Sequence, residues 1–91
     1  MDRDILPLGS VVTLKKGKQR LMIVGRFQEE ASSGQLFEYS AVLWPVGMIS
    51  SNQVYLFNGD DIDCVYFLGL QDSQEFTFRR HLLLEVENLN L

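Results

Sequence analysis

The chain has one cysteine, one histidine and few cations, and each scarcity removes a class of function. A lone cysteine, Cys64, excludes an intrachain disulfide and suits a reducing compartment. Structural zinc wants four Cys/His ligands, and Cys64 and His81 are the only two on offer. Eight Lys/Arg stand against twelve Asp/Glu, for a net charge of −4. That balance disfavours a dedicated nucleic-acid binder, which neutralises phosphates with clustered positive charge. No apolar run approaches the ~20 residues needed to span a bilayer. The start, "MDRDILPLGS", has no basic region followed by an apolar core, so it does not read as a signal peptide. No glycine-rich phosphate cradle is present, and "GSVV" lacks the strand–turn–helix context of a nucleophile elbow. The expectation is a cytoplasmic domain with no membrane or nucleic-acid partner.

What is present is apolar. Hydrophobic residues make up 46% of the 91 and ten are aromatic, enough for one core and too much for a disordered chain. A chain of this length reads as a single domain, 1–91, burying roughly 60–65% of its unfolded surface. Residues 5–70 read as mostly β. "SVVTLKK" (10–16) and "RLMIVGRFQ" (20–28) flank "KGKQ", a hairpin turn in which Gly17 supplies backbone freedom. "LMIV" is apolar on both faces and predicts a central, doubly covered strand. "EEASSGQ" (29–35) is a polar loop. In "LFEYSAVLW" (36–44) Phe37, Tyr39, Ala41 and Leu43 share one face. "WPVGM" ends that strand, because Pro45 has no N–H for a ladder. "VYLF" (54–57) and "CVYFLGL" (64–70) complete about five strands.

The period then changes. Over 73–90, Phe76, Phe78, Leu82, Leu83, Val86 and Leu89 fall on one arc of a helix. Asp72 or Ser73 can cap its start. Arg79 lies within the arc one turn after Glu75, which predicts a partly covered Glu–Arg pair. Arg80, His81, Glu85 and Glu87 face water. The fold class is α+β: a small twisted antiparallel sheet or partly open barrel, closed by one C-terminal amphipathic helix.

Three features bear on chemistry. Asp60, Asp61 and Asp63 lie between two strands, but calcium loops alternate their carboxylates around a central glycine and add a distal acid. Here Gly59 precedes two consecutive acids. The cluster therefore predicts a connector in which Asn58 or Asp60 caps a single helical turn and Ile62 anchors it to the core. Cys64, beside Val65, is expected to be a buried small hydrophobe, since three aspartates disfavour a reactive thiolate. No catalytic, metal or cofactor-binding residue emerges, and the expectation is no enzyme. Lys15, Lys16, Lys18 and Arg20 form a basic hairpin, read either as a docking surface for an acidic partner or as a solvated tip guarding a sheet edge. No aromatic interleaves them, so stacking on single-stranded nucleic acid is unsupported. Trp44 and Met48 lie in an apolar loop, "WPVGMI", which is either an exposed partner surface or a plug folded over the sheet.

"LPLGSVVTLKKGKQRLMIVGR" (6–26), "YSAVLWPVGM" (39–48) and "YLFNGDDIDCVYFLG" (55–69) resemble a family of small uncharacterised bacterial proteins. That family is encoded beside type VII (Esx-type) secretion genes and LXG toxins in Gram-positive bacteria. Its members share a "PLGS-V-L--G-KLMI-GR" opening, a "Y-G-YP-G" middle and an "FN-EDI--V-F-G" end. Gly59 stands where members often carry histidine, and Trp44 and Val46 replace a tyrosine and an acid. The resemblance implies an accessory or adaptor protein near the secretion apparatus or its toxins, or an immunity protein for a cognate toxin. A homo-oligomer is the other expectation, through an edge strand or through residues 82–91, where Leu84 and Leu91 lie off the main arc.

Overall fold

The computed structural model describes residues 5–88. Five strands, β1 (Val11–Leu14), β2 (Leu21–Glu29), β3 (Leu36–Leu43), β4 (Tyr55–Phe57) and β5 (Ile62–Phe67), precede one helix, α1 (Ser73–Asn88). A 3₁₀ turn, Gly59–Asp61, joins β4 to β5. The strands form one antiparallel sheet in the order β4-β3-β2-β1-β5, so the α+β expectation holds. Strands consecutive in sequence are neighbours except at the last step, which joins the two edges. Edge strands of a flat five-stranded sheet lie about 19 Å apart. The link between β4 and β5 is only residues 58–61, most of it a tight turn rising about 2 Å per residue. The sheet is therefore coiled, bringing its edges towards each other, and β4 and β5 form no ladder together among the described residues.

The core lies on one face. Val12, Leu21, Ile23, Tyr39, Ala41 and Phe57 cluster there with Ile5. Register explains the set: Val12 faces Leu21, Leu21 faces Leu43, and Ile23 faces Ala41, and residues paired across strands share a face. Leu82 and Leu83 of α1 pack on this cluster, as does Leu6, so the helix and the N-terminal segment cover the same side. The tyrosine hydroxyl of Tyr39 accepts the Leu6 N–H at 2.9 Å, pinning that segment.

Three expectations are corrected here. β2 is the central strand, but its second face is not fully covered: Met22 is half-buried and Val24 exposed. Val24 is the extra residue of a register shift between Ile23 and Gly25, which turns it away from the packed rows. The last strand begins at Ile62 and ends at Phe67, not 64–70, because Asp61 already closes the turn and Leu68 leaves the sheet. Gly69 then passes so close under Leu8–Gly9 that a Cβ there would be driven into the Leu8 carbonyl. On α1, Val86 is buried and Leu82 and Leu83 are half-buried, but Phe76 and Phe78 are exposed. The first turns of the helix lean on a polar network instead. Leu89 and Leu91 lie outside the described residues.

Candidate functional site

The aspartate turn uses its polar atoms internally. Asp61 Oδ2 accepts the Asn58 backbone N–H at 2.9 Å, and the Asn58 carbonyl accepts the Asp61 N–H at 2.9 Å. Asn58 Oδ1 accepts the Glu38 N–H, and Glu38 Oε1 accepts the Gly59 N–H. Lys15 N–H donates to the Asp61 carbonyl at 2.9 Å, tying the turn to the end of β1. Asn58 occupies the cap position as expected, but the capping carboxylate is that of Asp61, not of Asp60. Asp60 and Asp63 point to solvent, while Ile62 packs on the core. Among the described residues no three His, Cys, Asp or Glu side chains converge as a metal site would require.

A second polar network joins α1 to the sheet. Arg26 of β2 forms a two-pronged ion pair with Glu75 at 2.5 and 2.9 Å, and Arg79 reaches the same carboxylate at 2.9 Å. Arg26 also donates to the Leu6 carbonyl. The side chains of Arg26 and Glu75 are only 3% and 11% exposed, so the contact lies beneath the helix. The expected Glu75–Arg79 pair is present, and Asp72 Oδ1 caps the helix by accepting the Glu75 N–H. The Arg26 hydrogen bonds dominate in holding the Glu75 carboxyl below the ordinary carboxylate range, against an opposing desolvation.

The large apolar residues of the loops are arranged oppositely. Trp44, Val46, Met48 and Ile49 are 42–64% exposed, so the loop is not a plug over the core. It is firmly held all the same. Gly47 N–H donates to the Leu43 carbonyl at 2.7 Å, with Gly47 at φ +83°, a conformation that suits glycine. Trp44 N–H donates to the Arg20 carbonyl at 2.9 Å, and Gln19 Nε2 donates to the Trp44 carbonyl at 2.9 Å. These bonds fasten the loop to the basic hairpin, so Trp44 and Arg20 become neighbours. Lys15, Lys16 and Lys18 are exposed beside them, and none forms an ion pair among the described residues. They guard no sheet edge, because the hairpin joins β1 and β2, which both lie inside the sheet. The Arg20 guanidinium sits 4.4 Å from the centre of the Tyr66 ring, within cation–π range.

Tyr66 belongs to a surface that sequence reasoning missed. Val65, Tyr66, Phe67, Leu68 and Leu70 are all exposed, as is Leu8 nearby in the Leu8–Gly9 crossing. Cys64 is exposed too, against the expectation of burial, since β5 is an edge strand with only β1 beside it. An unbroken apolar run signals a buried strand. Its one contrary signal is that no later strand follows to cover it. No described helix is long and apolar enough to cross a membrane.

Comparison with curated proteins and with solved structures finds no match. A family model does match, from Ile5, the first core residue, through β5 and the Glu75 network to Phe78. The chain belongs to the DUF4176 family, a domain of unknown function, which accounts for residues 5–78.

Proposed function

We propose that this chain is a non-enzymatic protein-interaction module that acts in the cytoplasm as an accessory or adaptor for type VII (Esx-type) secretion or its LXG toxins. The observation that carries the reading is the rigid, outward-facing loop with Trp44 and Met48, fastened to the hairpin with Lys15, Lys16, Lys18 and Arg20. Tryptophan, methionine and arginine are the residue types enriched where proteins meet, and a pre-ordered loop loses little entropy on binding. The exposed lysines beside it suit an acidic partner. The secretion context comes from the likeness of the three sequence blocks to proteins encoded beside such genes.

The test is affinity capture of the tagged protein from its native cells, with mass spectrometry of what stays bound at moderate salt. The expected result is a toxin or secretion component that is retained by the wild type and lost from a folded Trp44→Ala variant. Loss on raising salt, or on reversing Lys15, Lys16 and Lys18 to glutamate, would assign the hairpin to the same contact. A captured toxin whose activity is blocked by the purified chain would shift the role to immunity. Capture of nothing but the chain itself would remove the adaptor reading.

A further inference from the structure

We infer that Gln19 is the positioning residue of the Trp44 loop: its side-chain amide holds the Trp44 ring and the basic hairpin together as one pre-ordered binding surface. The purpose of that surface rests on the adaptor reading, whereas the positioning itself is a property of the chain alone. Trp44 is gripped at both of its peptide groups. Its N–H donates to the Arg20 carbonyl at 2.9 Å, and its carbonyl accepts from Gln19 Nε2 at 2.9 Å. The same nitrogen lies 3.5 Å from the Arg20 carbonyl, so the Gln19 amide fills the gap between hairpin and loop. Among the described residues, every other hydrogen bond of residues 44–53 stays within residues 43–53. These are Gly47 N–H to the Leu43 carbonyl, Gln53 N–H to the Ser50 carbonyl, and Asn52 N–H to Ser50 Oγ. The bonds that tie the loop to another part of the chain therefore both run to the hairpin, at Gln19 and Arg20.

Only one of these two ties is made by a side chain. The Arg20 carbonyl would accept the Trp44 N–H whatever residue stood at position 20, but the Trp44 carbonyl needs a donor supplied by position 19. The neighbouring cation does not take that role, since the Arg20 guanidinium is engaged 4.4 Å from the centre of the Tyr66 ring. Trp44 itself is 42% exposed, so core packing does not hold its ring on every side, and its direction depends on the clamped backbone. With both peptide groups fixed, the ring has only its two side-chain torsions to order when a partner arrives, which keeps the entropic cost of binding low. Gln19 also stands between Lys18 and Arg20 in the chain. The one bond therefore sets the ring and the hairpin cations at a constant spacing, as a partner that meets both requires.

The experiment reads Trp44 directly, because it is the chain's only tryptophan. Time-resolved fluorescence anisotropy of the full chain should show a ring that turns mainly with the whole molecule. Gln19→Met removes the donor at similar length, and Gln19→Glu offers only acceptors to the Trp44 carbonyl. Each should enlarge the fast local decay of the ring. The thermal midpoint should stay close to that of the wild type in both, since the bond lies at the surface. With a partner captured from cells, Gln19→Met should weaken its binding about two- to tenfold, the scale of one net hydrogen bond. Unchanged Trp44 dynamics in both variants would overturn the inference. So would full partner affinity in Gln19→Met, or a drop in thermal midpoint large enough to account for the loss of ring order. Capture of no partner would remove the adaptor reading and leave the anisotropy alone to decide the role of Gln19.

Discussion

The aspartate turn and the Trp44 loop are both short connectors between strands, and they use their side chains in opposite ways. In the turn, side-chain oxygens of Asp61, Asn58 and Glu38 are taken up by backbone N–H groups of the turn and of β3, while Asp60 and Asp63 face solvent. In the loop, backbone hydrogen bonds and the Gln19 side-chain amide fix the shape, and the side chains of Trp44, Val46, Met48 and Ile49 are left over. The contrast recurs on α1, where Glu75 is covered and the neighbouring Phe76 and Phe78 are exposed. At these two places an acid is covered and large apolar side chains face outward, although the core itself is apolar. A residue's chemical type therefore does not identify a site. What matters is whether its bonding capacity is already used inside the molecule.

Substitutions can break that contrast, and the largest effect should come from Glu75. Glu75→Gln leaves Arg26 without its counter-charge under the helix and should lower stability by about 3 kcal/mol in denaturant titration. The same group sets a pH dependence. Its folded-state carboxyl is held below the ordinary range, so its stabilising contribution is fully present above the unfolded value near 4.3. That contribution should fade as pH falls through the lower folded value, and the wild type should lose more stability on acidification than Glu75→Gln. A parallel loss in both proteins would contradict the latch.

Asp61→Ala should rank next, at about 1 kcal/mol, because it removes the carboxylate that caps Asn58. Asp60→Ala, one position away and solvent-facing, should change stability by less than about 0.5 kcal/mol. Equal losses at the two positions would remove the distinction drawn between them. Trp44→Ala sharpens the comparison from the other side: it should shift the midpoint by less than about 1 kcal/mol while abolishing partner capture. A collapse in stability would show that the ring supports the fold. A small effect also belongs to Phe78, whose ring lies 5.4 Å from the Arg26 guanidinium. Phe78→Ala should lose roughly 0.5 kcal/mol by thermal unfolding, the scale of an exposed cation–π contact.

Much of this organisation is legible in one dimension. The Pro45 and Gly47 stop, the Gly17 turn and the switch in period after Asp72 place the first four strands and the helix close to their observed bounds, while the last strand starts and ends earlier than its apolar run suggests. Asp72 and the Glu75–Arg79 spacing are equally readable, because capping and i,i+4 pairing are local. The Arg26–Glu75 bond was not readable, since its partners are 49 positions apart and meet only through sheet order. The same holds for Phe76 and Phe78, whose place on the helical arc predicts burial although both rings are exposed.

Which segments extend, turn or coil follows from side-chain period and backbone freedom within a few residues, and so is fixed locally. Which apolar segments remain uncovered depends instead on how the strands and helix assemble. Burial of a strand depends on what lies beside it, and β2 and β5 are both dense apolar runs. β2 has a neighbour on each side and keeps its core face dry, whereas β5 ends the sheet and leaves Tyr66 and Phe67 facing solvent.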